Sequence, residues 1–383
     1  MNKPERLISL DAFRGFTMMS MVLVNNPGSW EQIYQQLEHA KWHGWTFTDS
    51  IFPSFLWIVG VAMTFAFAVR KDKGDSNSRI IVQALRRAAI IFGLGLFVNG
   101  FPFGFMGDSS FSFATLRIPG VLQRIAICYF LSTIVYLYFS IRGQIAIIIG
   151  LLTSYWAIMK LIPAPGIALG SMEIEKNFAS YVDSIFMKGH MWKYTITWDP
   201  EGIISTIPSL ATTLCGILTG EYLRTSTHGK EEKVCWMFVV SSGLLLLGTI
   251  LDIWLPINKS LWTSSYTIFM AGWSLALFAI FFFLIDTKGY HKWATPCIIF
   301  GMNAIFIYVL SSVQEVVLEK ITVSVQNPGA AASVQSLKSF VVQKYFMSHF
   351  SPLNGSVLYA ILTDLIIGIV AWQMWRKKWF VKV

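Results

Sequence analysis

The feature that most limits what this chain can become is a series of apolar runs, each about as long as a membrane is thick. A helix rises about 1.5 Å per residue, so roughly 20 mainly apolar residues cross a hydrocarbon core of about 30 Å. Such runs fall at about 8–28, 50–70, 79–99, 118–140, 145–163, 202–224, 234–255, 263–286, 296–319 and 353–375. Ile, Leu, Phe, Met, Gly and Ala mix in them without period-2 alternation, which is the patterning of helices and not of barrel strands. Of 383 residues, 54% are hydrophobic and 13% charged, about half the charge of a soluble globule. The expected fold is all-α, a polytopic integral membrane protein of about ten transmembrane helices forming a single domain over 1–383.

Basic residues set the orientation, because cytoplasmic flanks retain Lys and Arg. Lys3 and Arg6, the turn from Arg70 to Arg79 with Arg86 and Arg87, the stretch Arg224 to Lys233, and Arg376 to Lys378 all fall on one side. Ten spans then place both termini in the cytoplasm and the loops 164–201 and 320–352 on the outer face. The net charge of +9 is topology and contact with anionic lipid, which excludes nucleic acid as the expected partner. Asp11 and Arg14 interrupt the first apolar stretch and no small-residue cleavage site follows it, so the first span is expected to be retained. Cys128, Cys215, Cys235 and Cys297 fall inside expected helices without ligand-like spacing, which argues for packing and against disulfides or zinc.

Polar groups in or beside hydrocarbon are costly and therefore mark candidate sites. Asp11 and Arg14, three apart, share a helix face and form either a structural ion pair or part of a site. Asn25 and Asn26 end the first helix before Pro27 and Gly28, where a plain cap is the alternative role. The following loop carries His39, Trp42, His43 and Asp49. A loop histidine is usually solvated and a tryptophan beside a membrane usually anchors it, yet histidine is also the commonest general base. His39 and His43 are four apart, but no third ligand stands near, so no metal is expected. Gln123 and Arg124 open the fourth span. Arg124 needs a carboxylate, phosphate or water cavity, and Asp11 or Asp49 would serve. Asp199 and Glu201 suit a helix N-terminus, which accounts for them structurally. Asn258 in a short outer turn and Asn303 inside the ninth span are harder to explain away, since a buried amide needs a partner.

Taken in order, these blocks resemble a known family. They are Ser9-Leu10-Asp11-Ala12-Phe13-Arg14-Gly15, Val24-Asn25, His39-Ala40-Lys41-Trp42-His43-Gly44, Thr48-Asp49 with Phe52-Pro53, and Arg117 to Arg124. Asp199-Pro200-Glu201-Gly202, Asn258-Lys259 with Leu261-Trp262, and Gly301-Met302-Asn303 continue the series. The chain resembles the heparan-α-glucosaminide N-acetyltransferase family over nearly its whole length. The resemblance implies an enzyme that takes acetyl from cytosolic acetyl-CoA, a co-substrate, and gives it to a glucosamine amine across the membrane. It implies His39 as the catalytic histidine and Asn25 as its partner. Asp11, Arg14, Trp42, Asp49, Gln123, Arg124, Asn258 and Asn303 become candidates for binding the sugar or acetyl-CoA.

The resemblance sets in almost at the first residue, so a member lacking the lumenal domain of the lysosomal form is expected, and Val24-Asn25 is followed by Asn26-Pro27-Gly28 in place of that form's glycine-rich run. A bacterial-type member in the inner (plasma) membrane is expected. Its expected partners are the lipid bilayer, acetyl-CoA and an amino sugar or glycan acceptor, with a homodimer allowed. His39 is expected either to take the ammonium proton of the acceptor or to carry the acetyl group itself. The rival readings are a secondary transporter or lipid-linked sugar flippase, and a membrane O-acyltransferase acting on polysaccharide hydroxyls. No matching pair of broken helices is evident in the two halves to favour transport.

Overall fold

Each of the ten apolar runs is helical in the computed structural model, which describes residues 7–106, 111–325 and 333–381. In chain order the helices are α1 (Ile8–Asn25), α2 (Phe47–Asp72), α3 (Asn77–Gly100), α4 (Val121–Tyr138), α5 (Ile141–Leu161), α6 (Phe178–Phe186) and α7 (Thr206–Thr225). They continue with α8 (Lys230–Asp252), α9 (Ser264–Phe282), α10 (Thr295–Met302), α11 (Ala304–Lys320), α12 (Leu337–Val341) and α13 (Pro352–Arg376). The protein is an all-α polytopic membrane protein. Among the described residues the only strands are the antiparallel pair Thr322–Val325 and Ser333–Ser336, with Thr322 opposite Ser336.

By length and apolarity alone the described helices divide into two groups. Seven described helices are long and apolar enough to cross a membrane, or eight if α10 and α11 count as one bent span. α1 and α7 are not among them. α1 carries Asp11, Arg14 and Asn25, and α7 is rich in Ser and Thr, but both bury most of their length against other helices. A helix sheltered from lipid can carry polar groups that find partners inside the protein. The most apolar window of α2 is likewise 78% buried, whereas those of α5 and α8 are 22% buried and face outward.

Small residues let the central helices touch. A Cβ on Gly60 of α2 would stand 2.0 Å from the Thr213 carbonyl of α7, and one on Gly301 of α10 would stand 2.1 Å from the Asp11 carbonyl of α1. Such backbone approach is the means by which helices associate where lipid offers no hydrophobic drive. α10 and α11 meet at 74° about Asn303. The Asn303 amide donates to the Trp379 carbonyl (3.0 Å) and accepts from the Val381 amide (2.9 Å), so the buried side chain is satisfied by the C-terminal backbone.

Candidate active site

The site is built on the first turn of α2. Thr46 caps the helix and Asp49, three residues on, returns its carboxylate to the Thr46 backbone N–H at 3.1 Å. The same oxygen accepts from the Thr46 hydroxyl (3.1 Å) and the Ala40 N–H (3.0 Å), which folds the histidine loop back over the helix end. The other oxygen, Oδ1, accepts from His39 Nδ1 at 2.7 Å. Because a carboxylate only accepts, Nδ1 carries the proton and Nε2 keeps its lone pair. Pro53 lacks an N–H and leaves the Asp49 carbonyl without its helical donor. The Tyr266 hydroxyl of α9 supplies one at 2.6 Å.

A second loop closes on the first. Gly44, at φ +92°, turns the histidine loop so that its N–H reaches the Ile257 carbonyl at 2.7 Å. In the loop beyond, Asn258 accepts from the Leu261 N–H (2.9 Å), and its amide nitrogen stands 3.4 Å from His43 Nδ1. Trp262 holds φ +51°, an uncommon value for a bulky residue. It is fixed by an indole hydrogen bond to Thr212 (3.1 Å) and by edge contacts with Phe52 and Tyr266.

That loop places Lys259 Nζ 3.1 Å from each ring nitrogen of His39 and 3.8 Å from Asp49 Oδ1. His39 is therefore held between an anion and a cation, with half of its side chain still open. Burial of the ring and the Lys259 ammonium together lower its pKa below the ordinary 6.5, outweighing Asp49 and Glu201. Burial also draws the Lys259 pKa below its usual range, against Asp49 and Glu201, which favour its charge.

A charge cluster lies alongside. Arg117 grips Asp199 with two bonds (2.8 and 2.6 Å) and Glu201 with a third (2.6 Å). Burial works to raise the Glu201 pKa, but Arg117, Arg124 and Lys259 overcome it and hold the carboxyl below its ordinary range. Asp183 accepts the Asp199 and Ile203 N–H groups, and its own burial pushes it up to about 6. Arg124, fully buried in α4, donates to the Gly202 carbonyl (3.2 Å) and to the Ser205 hydroxyl, and lies 5.0 Å from the Trp262 ring centre.

At the other end of the bundle is a cavity of about 610 Å³. Arg14, Arg70, Arg86 and Arg87 line it, together with Asn303 and, deeper, Met63, Phe55, Ile125 and Ile305. A small void continues from Phe55, Ile125 and Ile305 to Tyr308. Tyr308 lies within electrostatic reach of Glu201 and Arg117. Arg70 and Phe55 are 15 residues apart on α2, about 22 Å along the axis, and Phe55 is six residues from Asp49, about 9 Å. The basic cavity and its apolar throat of Met63, Phe55, Ile125 and Ile305 thus lie along the helix whose first turn carries Asp49.

A sequence model described as "Heparan-alpha-glucosaminide N-acetyltransferase, catalytic" matches residues 6–256. The chain belongs to this family. It is 26% identical over 355 residues to the human protein named heparan-alpha-glucosaminide N-acetyltransferase, covering 80% of this chain and 52% of that one. The mouse protein of the same name is 25% identical over 362 residues, covering 81% and 54%. The chain therefore spans about half the length of these relatives. The family match holds His39, Asp49, Arg117, Asp199 and Glu201 and stops short of Lys259.

The residues singled out in the sequence divide between the two ends. His39, Asp49, Trp42, Asn258, Gln123 and Arg124 belong to the histidine end. Trp42 braces its loop by donating to the Met172 carbonyl (2.8 Å) and packing edge-on to Trp198, while Gln123 is buried with its amide nitrogen unbonded among the described residues. Asp11, Arg14 and Asn303 belong to the far end, where Arg14 pairs with Asp11 (3.0 Å) and donates to the Gly301 carbonyl (3.2 Å). Arg124 is bound by neither Asp11 nor Asp49, the partners expected for it; α1 carries Asp11 away, and both Asp49 oxygens are engaged. Asp199 and Glu201 also differ from expectation. They precede α7, whose cap is Ser205, and serve Arg117. Asn25 ends α1 exposed, with no hydrogen bond to His39 among the described residues. Lys259 and Glu201 join the site without a sequence signal of their own beyond the polar blocks Asn258-Lys259 and Asp199-Pro200-Glu201-Gly202.

Replacing Asp49 with Asn tests the orienting role. Its amide would cap the helix with its oxygen and present N–H to His39 Nδ1, moving the ring proton to Nε2. Turnover is expected to fall on the order of 10²- to 10⁴-fold with helix content retained. Activity within tenfold of wild type would show that Asp49 does not set the tautomer.

Proposed function

We propose that residues 1–383 act as one transmembrane N-acetyltransferase, with acetyl-CoA as donor and the amine of a glucosamine-type sugar as acceptor. The observation that carries this reading is the placement of the His39–Asp49 pair at one end of α2 and of an arginine-lined cavity toward the other. Coenzyme A has polyanionic phosphates at one end and a slender arm ending in the thioester. Arg14, Arg70, Arg86 and Arg87 suit the phosphates, since guanidinium groups match phosphate geometry. The apolar throat suits the arm. A volume near 610 Å³ falls within the usual range for small-ligand sites.

His39 Nε2 is the base in this mechanism. The acceptor amine attacks the thioester carbonyl carbon, a C–N bond forms, and the carbonyl π pair moves to oxygen. Nε2 takes the proton from nitrogen, and Asp49 stabilises the imidazolium that results. Collapse breaks the C–S bond, and the departing thiolate takes the proton from His39. Glu201, which acts electrostatically on the imidazole, and the Trp42–Trp198 pair of the same loop region offer the acidic and aromatic surroundings that an amino sugar requires. Favouring a transferase over a transporter, a bent helix pair occurs at one place among the described residues, not in two repeats.

The arginine mouth and both termini are assigned to the cytoplasm and His39 to the outer side of a plasma (inner) membrane. Arg70 and Asp49 are 21 residues apart on α2, about 31 Å, which matches a hydrocarbon core of about 30 Å. Single cysteines at Ser78 and Thr197, both exposed, test this after the native cysteines are replaced. In intact cells an impermeant thiol reagent should label position 197 and spare 78. The reverse pattern would place His39 beside cytosolic acetyl-CoA and remove the need for a passage.

The activity itself is tested with purified protein, labelled acetyl-CoA and a panel of amino and hydroxyl sugars. Amino sugars should be acetylated, and His39→Ala should lose at least about 10²- to 10⁴-fold in rate while remaining folded, since the ring is half exposed. Acetylation of hydroxyl sugars alone would mark an O-acyltransferase. A base must be neutral, so the rate should rise with pH through the His39 pKa and level off above it. The lowered pKa puts that midpoint below 6.5, and a midpoint above 7 would contradict base catalysis by this residue. Arg86→Ala with Arg87→Ala should raise KM for acetyl-CoA about tenfold or more, with kcat changed less, because the phosphate contacts act equally on ground and transition states. An unchanged KM would assign these arginines to lipid headgroups.

A further inference from the structure

We propose that Lys259 is a catalytic residue of this site, its ammonium stabilising the oxyanion formed when the thioester carbonyl is attacked. The inference rests on the acetyltransferase reading and adds to it a group outside the family match. A tetrahedral intermediate needs donors aimed at the developing negative charge. Around His39 the Ala40 and Thr46 N–H groups are both committed to Asp49, and the Asn258 amide faces His43. Asn25 makes no hydrogen bond to His39 among the described residues. Lys259 has three N–H bonds. Its Nζ lies 3.1 Å from both ring nitrogens, but Nδ1 already carries a proton toward Asp49, so Nε2 is the one ring acceptor. Asp49 Oδ1, at 3.8 Å, is an ion-pair partner beyond hydrogen-bond reach. Donors thus remain beside the atom that must receive the amine proton.

Two further observations point the same way. The Lys259 side chain is 17% exposed, so its charge is little screened and acts at short range. The loop that holds it keeps Trp262 at a positive φ, secured by Thr212, Phe52 and Tyr266. Backbone strain of this kind persists only where the surroundings enforce it, and here it fixes the turn that begins at Lys259, whose carbonyl accepts the Trp262 N–H at 3.0 Å. In the reaction the carbonyl oxygen takes an ammonium hydrogen bond, while Nζ, equidistant from both ring nitrogens and so over the ring face, leaves the in-plane Nε2 lone pair open to the acceptor proton. Lys259 keeps its charge throughout, and the carboxylates that face it, Asp49 and Glu201, favour that state.

The test compares Lys259→Met and Lys259→Arg with wild type. Lys259→Met should lower kcat about 10²- to 10³-fold with little change in KM for acetyl-CoA. Lys259→Arg should recover a substantial part of the loss. The groups facing His39 are Asp49, Glu201 and Lys259, so removing the one cation should move the acidic limb of the Lys259→Met profile to higher pH. A kcat within threefold of wild type, or a loss accompanied by an unmoved acidic limb, would overturn the proposal. So would an acetyl group found on Lys259 by mass spectrometry after exposure to acetyl-CoA. The rate of His39 carbethoxylation against pH, with the His39→Ala protein as blank, reads the same coupling without turnover. Its midpoint should rise in Lys259→Met, and an unmoved midpoint counts against Lys259 whether or not the wild-type protein acetylates a sugar. Absence of acetyl transfer by the wild type would instead remove the proposed function.

Discussion

The Asp49 carboxylate is buried at the first turn of α2, where an unpaired anion would cost several kcal/mol. The surroundings offset that cost with two backbone N–H groups, a hydroxyl, an imidazole and a nearby ammonium. The helix dipole adds to them, since a carboxylate in the first turn faces its positive end. The partners come from three parts of the chain, so satisfying one charge also fixes the histidine loop, the start of α2 and the loop bearing Lys259. The Asp49 backbone takes part as well, because Pro53 leaves its carbonyl free for Tyr266 of α9. The tautomer of His39 follows from this arrangement and needs no separate device.

The second constraint is the length of α2. It carries Asp49 at one end and Arg70 at the other, and its buried face forms the wall between them. In the proposed reaction a polyanionic donor and a sugar on opposite faces of a membrane would be joined through protein, because lipid will solvate neither. The polar helices α1 and α7 are explained on the same ground. They sit where other helices shield them, so their Asp, Arg, Ser and Thr side chains meet partners inside the bundle, while α3, α5 and α8 present apolar faces outward.

The two charge systems differ in kind. At the His39 end, positive and negative groups interlock, and the protein itself compensates most of them: Arg117 with Asp199 and Glu201, His39 with Asp49 and Lys259. At the Arg70 end, cations predominate around the cavity, an arrangement that attracts an anion from outside.

The sequence by itself determined that the chain is a helical membrane protein, because the length and composition of an apolar run are set locally by the thickness of the bilayer. It also picked out His39, Asp49, Arg124 and Asn258 as residues to explain, since polar groups near hydrocarbon are conspicuous in one dimension. It could not say which of them meet. Asp11 and Arg14 look like neighbours of His39 in the sequence, yet α1 carries them to the far end of the bundle. Lys259, distant in sequence and unremarkable as a loop lysine, comes within 3.1 Å of the His39 ring. The polarity of α1 and α7 has a related reason: shelter from lipid is a property of neighbours. Pairing of charges, sheltering of polar helices and the course of the cavity depend on contacts between segments far apart in the chain, and only the tertiary structure decided those.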